Sequence, residues 1–337
     1  MTASSDNRIL GIKNRYLVLV LLIGWAVAYR IMPPVLMRIQ LPAEELTHAV
    51  QLPLLGRFAF TNTMAAMLIS DLILLVLAFS FSRAARAALA AGGRAIGGVS
   101  GAVEALLEAL YGLTETNAGR WAREIFPWFA TIVLVVLVNN WLELIPGVDS
   151  IGILHAAEHG FAVQATALGT TIVGAATHNE AGGLFELVPL VRVNSTDLNF
   201  TVALALIAVF MVQVFGIRAL GVGYFKKFWN TSTMFTKPIF GVIDFGVGLL
   251  ELVSEFSKIL SFSFRLFGNV FAGSVLLFVI GYLVPSFAQT IFLMLEFGVG
   301  LIQAVVFGML TMVFMSQAVV SHHGDEHADP EGAAAHD

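Results

Sequence analysis

The 337-residue chain is 58% hydrophobic and only 12% charged, carries a net charge of −5 at pH 7 and contains no cysteine. Charge at half the roughly 25% of a soluble domain, with a mean hydropathy of +0.84, excludes an ordinary soluble protein and points to an all-α polytopic membrane protein. The acidic balance and the lack of any tract of five or more basic residues argue against a nucleic-acid partner. Without cysteine there are no disulfides, thiol catalysis or Cys-ligated metals, and no GxxxxGK[ST], HExxH or GxSxG motif announces a nucleotide or hydrolase site.

In chain order, residues 1–57 form an N-terminal hydrophobic segment followed by an external one. The run 16–28, after Arg8, Lys13 and Arg15, reads equally as a signal peptide ending in Ala26-Val27-Ala28 or as a short extra span completed by 29–36. Both readings put the following residues outside. Residues 58–81 give the first secure span, about 24 residues against a core of roughly 30 Å, with Asp71 near its middle. Arg83, Arg86 and Arg94 mark its end as cytoplasmic. Residues 97–113 pattern as an amphipathic helix on the cytoplasmic surface. The second span, 126–145, carries Asn140 and Glu143 near the outer face, and an outer loop follows over about 147–198. His155, His159 and His178 in that loop match no tight metal-ligand spacing, which favours a solvated loop over a metal site. Its apolar part, 157–176, is expected against the membrane surface.

A third span covers 199–215, and Arg218, Lys226, Lys227 and Lys237 return the chain inside. The runs 238–284 and 286–320 are then far longer than the hydrocarbon is thick, so these helices must tilt, kink or include surface turns. Pro285 is the corner between them, and 321–337 is a polar cytoplasmic tail expected to be disordered. Residues 58–320 thus make one membrane domain.

Within the first long run, Glu251, Ser254, Lys258, Ser261 and Arg265 recur at helical spacing, with Asp244 behind and Asn269 ahead. Lipid cannot solvate such a stripe. An arginine at mid-bilayer costs from about 3 to more than 10 kcal/mol, so it snorkels, pairs with a carboxylate such as Glu296, or serves a function. On the last helix Glu296, Gly300, Gln303 and Phe307 share a face, which an antiparallel hairpin brings beside Asn269 and Arg265. By depth, Glu143 and Glu296 lie outward and Asp244 and Glu251 inward, with Arg265 between. Two polar routes interrupted by a fixed cation suit proton translocation, because a continuous water wire would leak. Asp71 fits a polar pocket between helices better than a channel role, and Glu255 fits a partner for Lys258.

SFSFRLFGNVFAG at 261–273, FPWFATIVLVVLVNNWLELIPG at 126–147, DLNFTVALAL at 197–206 and Gln303 in LIQAVVFGMLTMVF resemble subunit a of the F-type ATP synthase over most of 58–320. The resemblance implies a stator subunit whose two long helices hug a rotating c-subunit ring, alongside the b subunits of the peripheral stalk, in a bacterial inner membrane. It favours protons as the ion but leaves sodium open, and implies neither a cofactor nor chemistry on ATP in this chain. By position, Arg265 matches the family's indispensable arginine. Asn140, Glu143, Asn269, Glu296 and Gln303 match its outer half-channel, and Glu251 with Ser254 its inner one; Asp71, Asp244, Lys258 and Ser261 are further candidates. Ser274 departs from the pattern, standing where relatives commonly carry Glu or His. Two other classes compete. A self-contained secondary transporter would show internal repeats, and none is convincing. An intramembrane enzyme would need a nucleophile–base pair or metal cluster at helical depth, whereas all eight histidines map to loops or tails.

Overall fold

The computed structural model describes residues 43–47, 50–53, 56–93, 97–145, 148, 151–157, 160–166, 169–176, 184–228, 238–284 and 287–320, with ten scattered positions between 8 and 27. Two short hairpins open it: β1 (Arg8–Ile9) with β2 (Ile12–Lys13), and β3 (Val50–Leu52) with β4 (Gly56–Phe58). Of the first hydrophobic run, Tyr16, Leu19, Val20, Ile23, Gly24 and Val27 are helical and exposed. The rest of that run, with Arg30 and Pro33-Pro34, lies outside the described residues, as do Arg94, His159, His178, Pro285 and the tail from Ser321.

Among the described residues six long helices follow. Helix α1 (Asn62–Ala90) starts at Thr61, whose hydroxyl accepts the Met64 amide. It starts four residues later than its apolar run because Gly56–Phe58 is taken up by β4. It ends nine residues past the expected 81, since SRAARAALA is rich in strong helix formers. Gly92 and Gly93, at φ of 83° and 81°, stop it. Helix α2 (Gly98–Ala118) buries Leu110, Thr114 and Ala118 against its neighbours, and a 3₁₀ turn at Gly119–Trp121 hands over to α3 (Ala122–Leu142). Beyond the outer segment come α4 (Leu198–Leu220), a 3₁₀ stretch at Gly221–Lys227, α5 (Pro238–Leu283) and α6 (Phe287–Ala318). Helix α5 runs 46 residues without interruption, so the long run contains no surface turn. Among the described residues five helical stretches are long and apolar enough to cross a membrane, with α2 and α3 counted as one. The chain is an all-α polytopic membrane protein in its spanning part.

The outer segment is a four-stranded antiparallel sheet where a loop was expected. Strands β5 (Gly152–Ala157), β6 (Gly160–Thr166), β7 (Gly169–Ala176) and β8 (Leu184–Pro189) lie in the order β5-β8-β6-β7. Facing pairs such as Leu154 with Leu187 and Phe161 with Phe185 supply apolar cross-strand contact. Small residues dilute the hydrophobic alternation that would mark these strands in sequence.

The core lies where α3, α4, α5 and α6 converge, with Ile125, Phe129, Phe215, Phe262, Leu266 and Phe307 at most 2% exposed. Helices α3 and α6 meet closely at Gly308. A Cβ there would fall 2.3 Å from a Val133 methyl and about 3 Å from the Phe129 ring, so only a small residue permits this approach.

Candidate functional site

Arg265 projects from an exposed face of α5, where its Nη2 donates to Ser261 Oγ, one turn back, at 3.2 Å. Among the described residues it has no carboxylate partner, so the pairing with Glu296 considered from the sequence does not form. Ser254, Leu260, Ser261, Phe264 and Gly268 share this exposure. Directly behind, Phe262 packs on Phe307 of α6 with ring centroids 5.1 Å apart, and Leu266 is fully buried. This packing fixes the rotation of α5 and therefore the direction of the arginine.

Toward the outer end, polar groups from three helices converge. The Glu296 carboxyl of α6, 9% exposed, fills the space over Gly273 of α5, where a Cβ would come within 2.3–2.6 Å of it. The next residue, Ser274, contacts Oε1 of Glu143, which caps the C-terminus of α3, and also lies 3.0 Å from Val270 O. Asn269 Nδ2 donates to Gln303 Oε1 at 3.5 Å, and Gln303 Nε2 is buried without a hydrogen-bond partner among the described residues. Asn140 is buried too, with Nδ2 donating to Gly300 O at 3.2 Å and Oδ1 accepting from Ser195 Oγ at 2.9 Å. Trp141 beside it stacks on Phe297 at 4.5 Å. The hairpin of α5 and α6 therefore joins Asn269 to Gln303, while Glu296 lies two turns beyond Arg265, beside Gly273.

Toward the inner end the stripe divides. Ser254 is exposed and Glu251 half-buried, whereas Lys258 turns inward. Its Nζ forms an ion pair of 2.9 Å with the buried Glu255 and lies 4.6 Å from the Phe314 ring centre. Gln213 Nε2 donates to the other Glu255 oxygen at 3.0 Å, and Gln213 Oε1 accepts from Tyr224 OH at 2.8 Å. This network ties α4, α5, α6 and the 3₁₀ stretch together. Asp244 lies on α5, with its side chain outside the described residues. Asp71 is on α1, away from both sets.

A polar layer at the outer end has no counterpart among the residues picked from sequence. Asn139 Oδ1 accepts from Asn194 Nδ2 at 2.9 Å and lies 2.9 Å from Ser70 Oγ. Thr63 Oγ1 donates to Asp197 Oδ2 at 3.1 Å. Consecutive asparagines in an apolar span and the compact NSTD before α4 were the available signal. Outside the spans, Glu44 is held by Asn62, with Nδ2 3.1 Å from Glu44 Oε2. Burial raises its carboxyl above the usual glutamate range; Arg192 opposes this, Glu186 adds to it, and the Asn62 bond and His155 oppose it.

Long apolar helices with carboxyl and amide groups at their contacts and a guanidinium on an exposed face define a multi-pass membrane protein of the ion-transport class. The profile of the family described as ATP synthase A chain matches residues 64–316, and the chain belongs to that family. It is similar to ATP synthase subunit a of Mycobacterium ulcerans (strain Agy99), 29% identical over 265 residues that cover 77% of this chain and 87% of the relative. It is 28% identical over 228 residues to ATP synthase subunit a of Helicobacter pylori (strain Shi470), covering 67% of this chain and 79% of that one. The chloroplastic ATP synthase subunit a of Oedogonium cardiacum is 30% identical over 197 residues, 56% of this chain and 73% of its own. Membership makes the chain a stator-side membrane subunit of the F-type ATP synthase.

Proposed function

We propose that this chain carries protons past a rotating c-subunit ring through two half-channels separated by Arg265, in the inner membrane of a bacterium and beside the b subunits. The observation that carries this reading is the placement of Arg265 on an exposed face of α5, bonded only to Ser261 among the described residues. Its charge is therefore available to a carboxylate on another chain. A ring carboxyl is neutral in lipid because burial disfavours its charged form, and a cation within about 4–6 Å lowers its pKa by roughly 1–3 units. On reaching Arg265 the carboxyl ionises, and its proton leaves by the inner route past Ser254 and Glu251, with Asp244 further along α5. After passing Arg265, the carboxylate takes a proton delivered by Glu143, Ser274 and Glu296, with Asn140, Asn269 and Gln303 orienting the path. Ser274 supports this relay by sitting on Glu143 while its neighbour Gly273 carries the Glu296 carboxyl. Arginine suits the gate because it keeps its charge at any accessible pH. Ser261 steadies the guanidinium, and Lys258 holds Glu255.

The test is ATP-driven acidification of inverted vesicles holding the whole complex, with Arg265→Ala beside the parent, with and without sodium. The expected result is an assembled mutant complex that no longer pumps, with pumping by the parent indifferent to sodium. Normal pumping by the mutant would overturn the gate, and a requirement for sodium would overturn the choice of ion.

A further inference from the structure

A cleft of 840 Å³ lies between the segment before α1 and the outer sheet, bordered by Glu44, Glu45 and Arg57 on one side and by His155 and Glu186 on the other. His155 on β5 stands directly opposite Glu186 on β8, with the imidazole exposed and Glu186 half-buried. From the cleft a line of polar groups leads inward. Glu44 accepts from Asn62 Nδ2 at 3.1 Å, and Asn62 is fully buried. Thr61 and Thr63, on either side of Asn62, have their hydroxyls 3.0 Å apart, and Thr63 Oγ1 donates to the buried Asp197 at 3.1 Å. Two residues before Asp197, Ser195 Oγ donates to Asn140 Oδ1 at 2.9 Å, and Glu143 follows Asn140 on the same strand of helix. Beside Ser195, Asn194 Oδ1 is buried without a hydrogen-bond partner among the described residues, and a buried acceptor so placed takes a hydrogen bond from water. Ala43, Glu45 and Arg57 border both the cleft and the space in front of Thr63 and Asp197, so the two are continuous. We propose that this cleft is the mouth of the outer route, where His155, Glu186 and Glu44 gather protons from the external water and pass them by Thr63, Asp197 and water held at Asn194 to Glu143.

The proposal rests on the reading of Arg265 as the gate and adds a point of entry to it. Free protons are scarce near neutral pH, so a path that feeds on them needs readily exchanging groups at its opening. An imidazole is the side chain whose ordinary range lies nearest neutrality. Burial raises the Glu44 carboxyl toward that range, opposed by Arg192, the Asn62 bond and His155 and assisted by Glu186. The other charged groups at the cleft, Arg57 and Glu45, pair with each other at 2.9 Å. Each group on the line takes a proton on its outer side as it gives one up on its inner side, so none ends changed. Residues 43–61 precede the stretch 64–316 matched by the family, so the mouth is built in part from outside the shared framework.

ATP synthesis by the whole complex in liposomes, driven by a potassium diffusion potential, tests this as the pH on the outer face is varied from about 5.5 to about 8, across the histidine range. Glu44→Gln, His155→Gln and Glu186→Gln together should slow synthesis about tenfold at the upper end, the low end of what a charged cleft adds to an association rate. At the lower end, where protons are plentiful, the rate should hardly change. Imidazole buffer on that face should restore the rate by carrying protons inward past the missing groups. A loss equal at every pH and untouched by imidazole would mark the three as structural and overturn the proposal, as would no loss at all. The chain has no cysteine, so Thr47→Cys in the cleft and the exposed Val284→Cys just past α5 give a second reading. After labelling with a bulky maleimide, and against the parent treated alike, the first should block synthesis and the second should not. Undiminished synthesis at labelled Thr47→Cys would overturn the mouth, and a block at Val284→Cys alone would move the entry to the corner between α5 and α6. Arg265→Ala, made with the cleft intact, decides the gate by itself, so the two readings fail separately.

Discussion

Glycine 273 is the residue on which the outer cluster turns. It sits between Ala272 and Ser274 on α5, and its missing Cβ leaves the volume that the Glu296 carboxyl fills. Gly273→Ala would displace that carboxyl by an ångström or more. A misplacement of about 1 Å at a reacting group costs up to roughly 100-fold in rate. Pumping should therefore fall between about 10- and 100-fold while the subunit still assembles, measured as vesicle acidification against the amount of complex. Unchanged pumping would mean that the Glu296 carboxyl is not needed where it lies. The helical spacing from Glu251 to Arg265 was legible in the sequence because a 3.6-residue period is local. The meetings of Ser274 with Glu143 and of Glu296 with Gly273 were not, because each depends on the rotation and axial offset of two helices far apart in the chain. For the same reason Glu296 was expected nearer Arg265 than it lies.

The long helices are held in register by polar ties as well as by apolar packing. Glu255 on α5 gathers Lys258 from one turn along, Gln213 from α4 and, through Gln213, Tyr224. Its side chain is 8% exposed and that of Lys258 18%. Removing one member of such a pair strands the other, which costs about 3–5 kcal/mol, whereas replacing both with apolar groups of similar volume is close to neutral. Glu255→Leu is thus expected to lower the amount of subunit retained in membranes. The double variant Glu255→Leu with Lys258→Met should restore most of it, as read by immunoblot after a thermal challenge. Equal loss in both variants would show that the ion pair matters for more than its desolvation. Helix identity was legible throughout, since apolar runs of this length leave no other choice in a bilayer. Helix ends were not: α1 overran its apolar stretch through a good helix-forming tail, and the outer sheet was hidden by strands built largely of Ala, Gly and Thr.

Across the whole molecule, the outer surface joins the segment before α1 to the sheet. Glu44 and Asn62 are paired side chain to main chain as well as side chain to side chain, and Arg57 closes on Glu45 at 2.9 Å. A cleft of 840 Å³ separates this strap from His155 and Glu186 on the sheet. Because burial raises the Glu44 carboxyl, the folded form holds its proton more tightly than the unfolded one. The stabilising contribution is therefore complete below the ordinary glutamate value of about 4.3 and is lost as pH rises through the higher folded value. Hydrogen exchange at the Leu46 and Asn62 amides, corrected for intrinsic rates, should show the strap opening more often as pH rises from about 4 to about 7. Glu44→Gln should flatten that dependence; a slope that survives it would assign the effect elsewhere. The unbroken course of α5 has a mechanical corollary. From Glu251 to Ser274 is 23 residues, or roughly 35 Å of helix. Keeping both ends inside a hydrocarbon layer of about 30 Å takes a lean of at least about 30° and offsets them sideways by about 17 Å. Under the proposed two-route reading, an ion taken up beside one end is released at a different point in the membrane plane. A carrier serving both must travel between them, and on a ring that sideways travel is an arc.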